Sequence, residues 1–273
     1  MRQQATDVLK EQFDREGYAV AKALFSSSEA EYYRDHYTEL RGRGAFPGDM
    51  AGFDTSADDP LLQYPRMIHM HRWDLISMDW LLSNRLGNVL RSLFDTDPLA
   101  VQSMLYFKPA GARGQALHQD NHFIRVQPGT CVAAWMALDE CDETNGCLQV
   151  VPGSHKLPLL CQEPADTSKS FTDQGLSLPD GMNTKPVRMS PGDVLFFHGM
   201  IIHGSFPNVS HDRFRRSLIG HYVSSDAVKC ADFYSPVLNM AGKEVLLADS
   251  PEGGPCGTWV EVDGSPRVEV VPG

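Results

Sequence analysis

The amino-acid sequence predicts a mainly β fold, a barrel or sandwich of short strands flanked by a helical N-terminal third. From about residue 99, short apolar or alternating runs recur at 100–107, 130–138, 147–151, 193–198 and 216–223, each bounded by turn-forming residues. The chain also holds 23 Gly and 18 Pro, a supply of turn formers that suits many short strands better than a helical bundle. Before residue 99 the apolar periodicity is helical instead.

The elements follow in order. Residues 5–16 put Val8, Leu9 and Phe13 on one helical face and stop at Gly17. Ser26–Ser28 offer N-caps for a second helix ending near Gly42, and the Gly-, Asp- and Pro-rich stretch 44–60 reads as a loop. Residues 73–94 hold one or two helices with Trp73, Leu75, Ile76, Trp80, Leu81 and Leu82 as the apolar set. Asn145-Gly146 marks a tight turn between two strands, Pro152-Gly153-Ser154 a second turn, and Phe196 and Phe197 read as core. The tail 240–273 reads as a late hairpin. The whole chain is expected to form one domain: 1–98 a mainly helical flank, 99–225 the β core, 226–273 a C-terminal extension.

Composition narrows the function. Apolar residues make up 42% and charged residues 22%, ordinary for a globular chain with a core. The formal charge, 24 − 35 = −11, lacks the basic footprint of a nucleic-acid binder and suits an anionic membrane poorly. The charged N-terminus has no apolar signal region, and no run of about 18 apolar residues is present. Six cysteines without a CxxC pair are expected to be reduced, in a cytoplasmic protein.

Three features carry chemistry. In His118-Gln119-Asp120, residues i and i+2 of an extended segment point to one side, so an imidazole and a carboxylate can reach one ion. His203 follows 85 residues later, after the apolar run VLFFHGMII. Arg215 stands twelve residues beyond it, beside Arg216. Two His and one carboxylate make the facial triad of non-haem Fe(II) oxygenases, whose open positions accept a chelating 2-oxo acid and dioxygen. The far carboxylate of that acid needs an anchor, and the planar fork of Arg suits it. An isolated HxD is a weak motif; the distal His before Gly-Ser and the following Arg give it weight.

At this point a family likeness enters. The stretches QSMLYFKPAGARGQALHQDNHF, AAWMALDECDETNGCLQVVPGSHK and GDVLFFHGMIIHGSFPNVSHDRFRRSLIGHYV resemble the phytanoyl-CoA dioxygenase family over roughly residues 60–225. The resemblance implies a double-stranded β-helix (jelly-roll, cupin-like) core, Fe(II), 2-oxoglutarate and O2 as cosubstrates, and ascorbate as a candidate reductant. It implies His118, Asp120 and His203 as iron ligands, Arg215 and Ser205 as holders of the distal carboxylate of 2-oxoglutarate, and Trp135 and Met104 as pocket lining. The loop before RR is one residue longer than in relatives, with His211 as the extra residue. Arg213, Arg215 and Arg216 therefore all stand as candidates, and Arg215 is chosen because it precedes Arg-Ser-Leu. The implied reaction hydroxylates an unactivated C–H bond of a small molecule and releases succinate and CO2. Asp120 favours hydroxylation over halogenation, because halogenating relatives lack this carboxylate; desaturation and ring closure stay open.

Bland roles compete for the other polar residues. His198, five residues before His203, falls on the opposite strand face and is read as structural. His155 supports a turn. His69 and His71 share a side of an extended segment and are substrate-pocket candidates. Gln115, Asn121, His122 and Arg125 bracket the HxD segment as solvated loop residues or as a substrate-facing rim. A catalytically silent jelly-roll binder, and a cupin-like Zn or Mn enzyme without redox chemistry, compete with the oxygenase; neither needs Ser205 and Arg215 beside the metal. Substrate determinants are expected in loops 44–72, 115–125 and 155–185. The oligomeric state has no sequence signal, and no basic cluster suits a coenzyme A diphosphate.

Overall fold

Burial on both faces explains why the central strands read as unbroken apolar runs. Every residue of the strand Cys131–Ala137, CVAAWMA, is buried. Val132, Ala134 and Met136 join one apolar cluster, while Ala133, Trp135 and Ala137 join another. The first cluster is shared with the helices through Tyr37, Trp80, Leu86 and Leu90. The second is shared with an opposing sheet through Leu148, Val150 and Val187. The layers are thus helices, large sheet and small sheet. The computed structural model describes residues 2–50, 52–252 and 254–271. Ala51 of the 44–60 loop, and Gly253 and residues 272–273 of the tail, lie outside the described residues.

In the large sheet the antiparallel order is Tyr18–Ala21, Val194–His198, Cys131–Ala137, Ser217–Ser224, Pro98–Tyr106, Val237–Asn239 and Glu244–Val245, with Met67–Ile68 also paired to Pro98–Tyr106. The small sheet runs Gln115–His118, His203–Ser205, Leu148–Val150 and Lys185–Val187, again antiparallel. From residue 98 onward the chain passes back and forth between the two sheets, the connectivity of a jelly roll. The fold is mainly β with flanking helices. The expected division at residues 98 and 225 cuts through a shared sheet, because Tyr18–Ala21 and Val237–Asn239 cover strands that would otherwise be open edges.

The helices begin where the caps place them. The helix Arg2–Glu16 is followed by Gly17 at φ 81°. Ser26 and Glu29 form a capping box on Ser27–Gly42. Residues 73–94 hold two helices, Leu75–Leu81 and Asn84–Phe94, capped by the side chains of Asp74 and Ser83. Among the described residues, no helix is long and apolar enough to cross a membrane. The late hairpin pairs Gly257–Val262 with Ser265–Val270.

Two expectations are corrected. The Asn145-Gly146 turn does not close a hairpin: its flanking strands lie in different sheets. The cysteines are not all reduced. Cys161 and Cys256 form a disulfide across 95 residues of sequence, and Cys131, Cys141, Cys147 and Cys230 are buried free thiols. The partners meet because backbone bonds from Cys161 N to Gly257 O (2.9 Å) and from Gly257 N to Leu159 O (2.8 Å) dock the C-terminal hairpin on a distant loop. No spacing rule signals such a meeting.

A buried ion pair ties the 44–66 segment to the second helix. The guanidinium of Arg41 clasps both carboxylate oxygens of Asp49, and both side chains are almost fully buried. Removing one partner leaves the other charge buried and uncompensated, at a cost of about 3 kcal/mol. In urea unfolding, Asp49→Ala should show about that loss, and the double variant Arg41→Met/Asp49→Leu a markedly smaller one.

Candidate active site

Strand pairing brings two residues 85 apart in sequence into register: His118 lies opposite His203 across the small sheet. Asp120 is not on that strand. Gln115–His118 ends at His118, and Asp120 has αR angles (φ −61°, ψ −28°) at the start of the single helical turn Asn121–Ile124. The carboxylate reaches the histidines by this turn, not by the i, i+2 geometry of an extended segment. Nδ1 of His118 faces the Ala116 carbonyl (2.9 Å) and Nδ1 of His203 the Ile201 carbonyl (3.2 Å), so both Nδ1 atoms are donors. The Nε2 atoms then point bare lone pairs at Asp120 Oδ1, from 3.3 Å and 3.6 Å. Burial, then the neighbouring His118, lowers the His203 pKa to about 4. The result is a buried cluster of three potential ligand groups, with one ligand atom from each residue within 4.8 Å of the others. Such a set repels itself unless a cation lies among the atoms, and N and O donors in this number suit Fe(II). Backbone carbonyls on the far ring nitrogens fix the required tautomers.

A cationic end faces the same cavity, whose volume is about 250 Å³. Arg215 is buried; it donates from Nε to Gly146 O (3.1 Å) and from Nη1 to Ser217 Oγ (2.9 Å), and stacks over Trp135. Lys108 is buried beside it and donates to Ser205 Oγ (2.8 Å) and Phe206 O (2.6 Å). Burial, then the nearby Arg215, holds the Lys108 amine well below its ordinary basicity. Among the described residues, neither cation forms an ion pair. With Lys108 occupying a lone pair of Ser205 Oγ, the hydroxyl proton is free to be donated towards an anion. Arg213 is paired with Asp142 (2.8 Å) and Arg216 with Asp139 (2.8 Å), so of the three candidate arginines only Arg215 faces the cavity.

The model of the family described as Phytanoyl-CoA dioxygenase (PhyH) matches residues 13–217. The chain belongs to the phytanoyl-CoA dioxygenase family. This is a family of iron(II)- and 2-oxoglutarate-dependent oxygenases, and the residues above fit both groups. A phytanoyl-CoA dioxygenase of Arabidopsis thaliana is 30% identical over 234 residues, 82% of this chain and 80% of that protein. The epimerase SnoN of nogalamycin biosynthesis, solved with Fe3+, α-ketoglutarate and nogalamycin RO, superposes with TM-score 0.66 at 21% identity, covering 83% of this chain and 86% of that one. EvdO2 from Micromonospora carbonacea, complexed with 2-oxoglutarate, superposes with TM-score 0.65 at 22% identity, covering 80% and 90%. At these identities the two structural likenesses are likenesses of fold.

Against this family frame, the remaining residues sort by position. Trp135, Met104 and Ser205 line the cavity, as does Gln115, whose amide nitrogen lies 3.3 Å from His118 Nε2. The other substrate candidates do not line it. The helical turn after Asp120 presents Phe123 and Ile124 to the cavity instead. His122 bonds the Leu160 carbonyl (3.0 Å), Arg125 bonds the Pro251 carbonyl, and the Asn121 amide N bonds Gly199 O. His71 Nδ1 bonds Ser103 Oγ (2.8 Å), and His69 packs behind Phe233 and Tyr234. His198, at the end of a strand of the large sheet, packs on Phe13 of the first helix and on His155.

Several contributors were missed. His221 reaches across from the large sheet to place Nε2 3.2 Å from Asp120 Oδ2. Arg66, Gln102 and Tyr106 also line the cavity. Period-two alternation was a usable signal for some: Gln102 and Tyr106 flank Met104 at i−2 and i+2, and His221 follows Ile219. Lys108 continues the same alternation two residues beyond Tyr106, whereas Gly146 has no such signal. Gly146 was read only as a turn residue, yet its carbonyl holds Arg215. At its φ of 87° an added Cβ would lie 2.6 Å from the Lys108 side chain.

The anion end predicts that Arg215→Leu raises the KM for 2-oxoglutarate by about 10- to 100-fold, the loss of a charge-assisted contact, read in a succinate-release assay. A second expectation concerns acid stability. His69 has a left-handed backbone (φ 55°), and burial, then Arg72 and His71, lowers its pKa to about 3. The unfolded imidazole titrates near 6.5, so below that pH the unfolded state binds the extra proton and stability falls until the folded value is reached. His69→Asn keeps a side chain tolerated at this φ. It should remove up to about 1.4 kcal/mol per pH unit from the slope of unfolding free energy between about pH 6 and 4.

Proposed function

We propose that the protein is an Fe(II)- and 2-oxoglutarate-dependent hydroxylase of a small, largely apolar organic molecule. The observation that carries this reading is the buried, unpaired guanidinium of Arg215 in the same cavity as the His118, Asp120 and His203 donor set. His118, Asp120 and His203 would hold the metal. Arg215 and the Ser205 hydroxyl receive the distal carboxylate of 2-oxoglutarate, with Lys108 orienting Ser205. Trp135 and Met104 wall the space between the two ends. When bound, the metal and cosubstrate supply the oxidising chemistry: 2-oxoglutarate and O2 yield succinate and CO2, and one oxygen atom enters a substrate C–H bond.

The protein's own task is orientation and exclusion of water. Met50, Ile68, Phe123, Ile124, Phe233 and Tyr234 line the cavity and favour an apolar substrate surface. Holding one C–H bond near the metal selects the carbon oxidised. A carboxylate at position 120 fills the ligand place that a halide would need. Gln102, Gln115, Thr172, Tyr106 and Arg66 are polar groups of the lining that can read a substrate substituent.

The test is anaerobic addition of Fe(II) and 2-oxoglutarate, followed by exposure to O2 with a panel of small apolar compounds. The expected result is a visible charge-transfer band, then substrate-dependent succinate with ¹⁸O from ¹⁸O2 in the product; Asp120→Ala should lose both. Metal binding without the band, or with an isomerised and unlabelled product, would favour the non-redox metalloenzyme. No metal binding would favour the silent binder.

A further inference from the structure

Gln119 stands between two of the metal-binding residues but points away from them. Its amide is fully buried and makes three bonds to main chain on other segments. Oε1 accepts from Leu160 N (2.8 Å), and Nε2 donates to Pro158 O (3.2 Å) and Met200 O (2.9 Å). The His122 ring bonds the Leu160 carbonyl from the other side of the turn (3.0 Å). Residues 158–160 therefore grip the turn that carries His118 and Asp120 at two points.

That grip is itself held from outside the β core. Cys161, the next residue, carries the disulfide to Cys256, and the backbone bonds at Leu159, Cys161 and Gly257 flank it. The C-terminal hairpin then packs Trp259 and Val268 into a cluster with Leu160 and Leu117, the residue before His118. Trp259 also donates to Ser177 O (3.1 Å). Bridge, Leu160, Gln119 and metal ligands form one unbroken series of contacts. Both cysteines are only half-buried, open to a reductant.

We propose that Gln119 is a positioning residue whose hold on the metal-ligand turn depends on the Cys161–Cys256 disulfide, so that thiol–disulfide exchange at this bridge tunes the affinity of the site for its metal. The inference rests on reading His118, Asp120 and His203 as metal ligands. The exchange is a two-electron reduction by a dithiol. One thiolate attacks a bridge sulfur to give a mixed disulfide; the second thiol then closes the reagent's own disulfide, and both cysteines leave as thiols. With the covalent tie gone, the Leu159–Cys161 segment is held to the hairpin by hydrogen bonds and packing alone. Gln119 then fixes the turn against a looser support. Partners of this kind around a metal site are worth roughly 10- to 100-fold in metal affinity.

The experiment titrates metal-free full chain with Co(II), followed by its visible absorbance, in the oxidised state and after reduction and removal of the reductant. Cys256→Ser and Gln119→Leu are measured in parallel, with hydrogen exchange read over 117–124 and 158–161. The expected result is a Kd about 10-fold weaker on reduction, with faster exchange in both segments. Cys256→Ser should match the reduced protein under either condition. Gln119→Leu should bind weakly in both states and no longer respond to reduction. An unchanged Kd in wild-type protein, even with a lowered Tm, overturns the proposal and leaves the bridge a role in stability alone. A full redox response retained by Gln119→Leu overturns the part assigned to Gln119. Co(II) binding with the expected redox response but no succinate from the iron-loaded enzyme overturns the oxygenase reading and not this coupling. No Co(II) binding in any form overturns both.

Discussion

The structure is organised around charge that the protein buries without balancing it internally. At one end of the cavity, two imidazoles converge on a carboxylate; at the other, the Arg215 guanidinium and the Lys108 amine sit together, with no acid paired to them among the described residues. Isolated, each end would cost several kcal/mol of desolvation and self-repulsion. Together they form a dipolar slot whose two halves are neutralised by a cation and by a dicarboxylate that bridges from it. This constraint accounts for details that packing alone does not. It explains why Nδ1 of His118 and Nδ1 of His203 are each tied to a carbonyl, and why Ser205 receives its hydrogen bond from Lys108. It also explains why the turn at 145–146 delivers a carbonyl to Arg215.

The jelly roll makes such a slot by register. His118 and His203 meet because their strands pair directly, and Ser205 follows two residues on, facing the same side. Arg215 precedes a strand of the large sheet whose alternate residues Ser217, Ile219 and His221 face the small sheet's ligands. His221 then spans the sandwich to Asp120. The carboxylate is held from both sheets, although it lies on neither.

This explains what the sequence made legible. Strand positions and the helix caps could be read because they depend on local periodicity or on short motifs, and the HxD motif with the distal His and Arg pointed to residues that the fold brings to one cavity. His69, His71, Asn121, His122 and Arg125 were misplaced for a common reason. Polar character does not by itself mark a residue as facing the substrate: His122 and Arg125 bond main-chain carbonyls, the Asn121 backbone N–H bonds Gly199 O, His71 bonds the Ser103 hydroxyl, and His69 packs behind aromatic rings. Phe123 and Ile124, which do face the cavity, look like ordinary core residues in sequence. Gly146 and the Cys161–Cys256 bridge depend on contacts between segments far apart in the chain, which no local pattern encodes.

The two ends of the slot differ in how they are supported, and that difference bears on specificity. The metal and anion ends draw on paired strands and on residues whose rotamers are fixed by main-chain hydrogen bonds. The substrate end draws on short or irregular pieces: Met50 from a loop, Phe123 and Ile124 from one helical turn, Phe233 and Tyr234 from another. Irregular segments accept changes in side chain that strands buried on both faces do not. Exposed Phe233 is about half accessible yet lines the cavity, so it can be exchanged without opening the core. Substrate choice is thus physically separable from cosubstrate chemistry. The one place where the two meet is the turn 119–124: its first residues are the buried Gln119 and the Asp120 of the His-Asp-His cluster, and its last two, Phe123 and Ile124, line the cavity. A shift of that turn moves both at once.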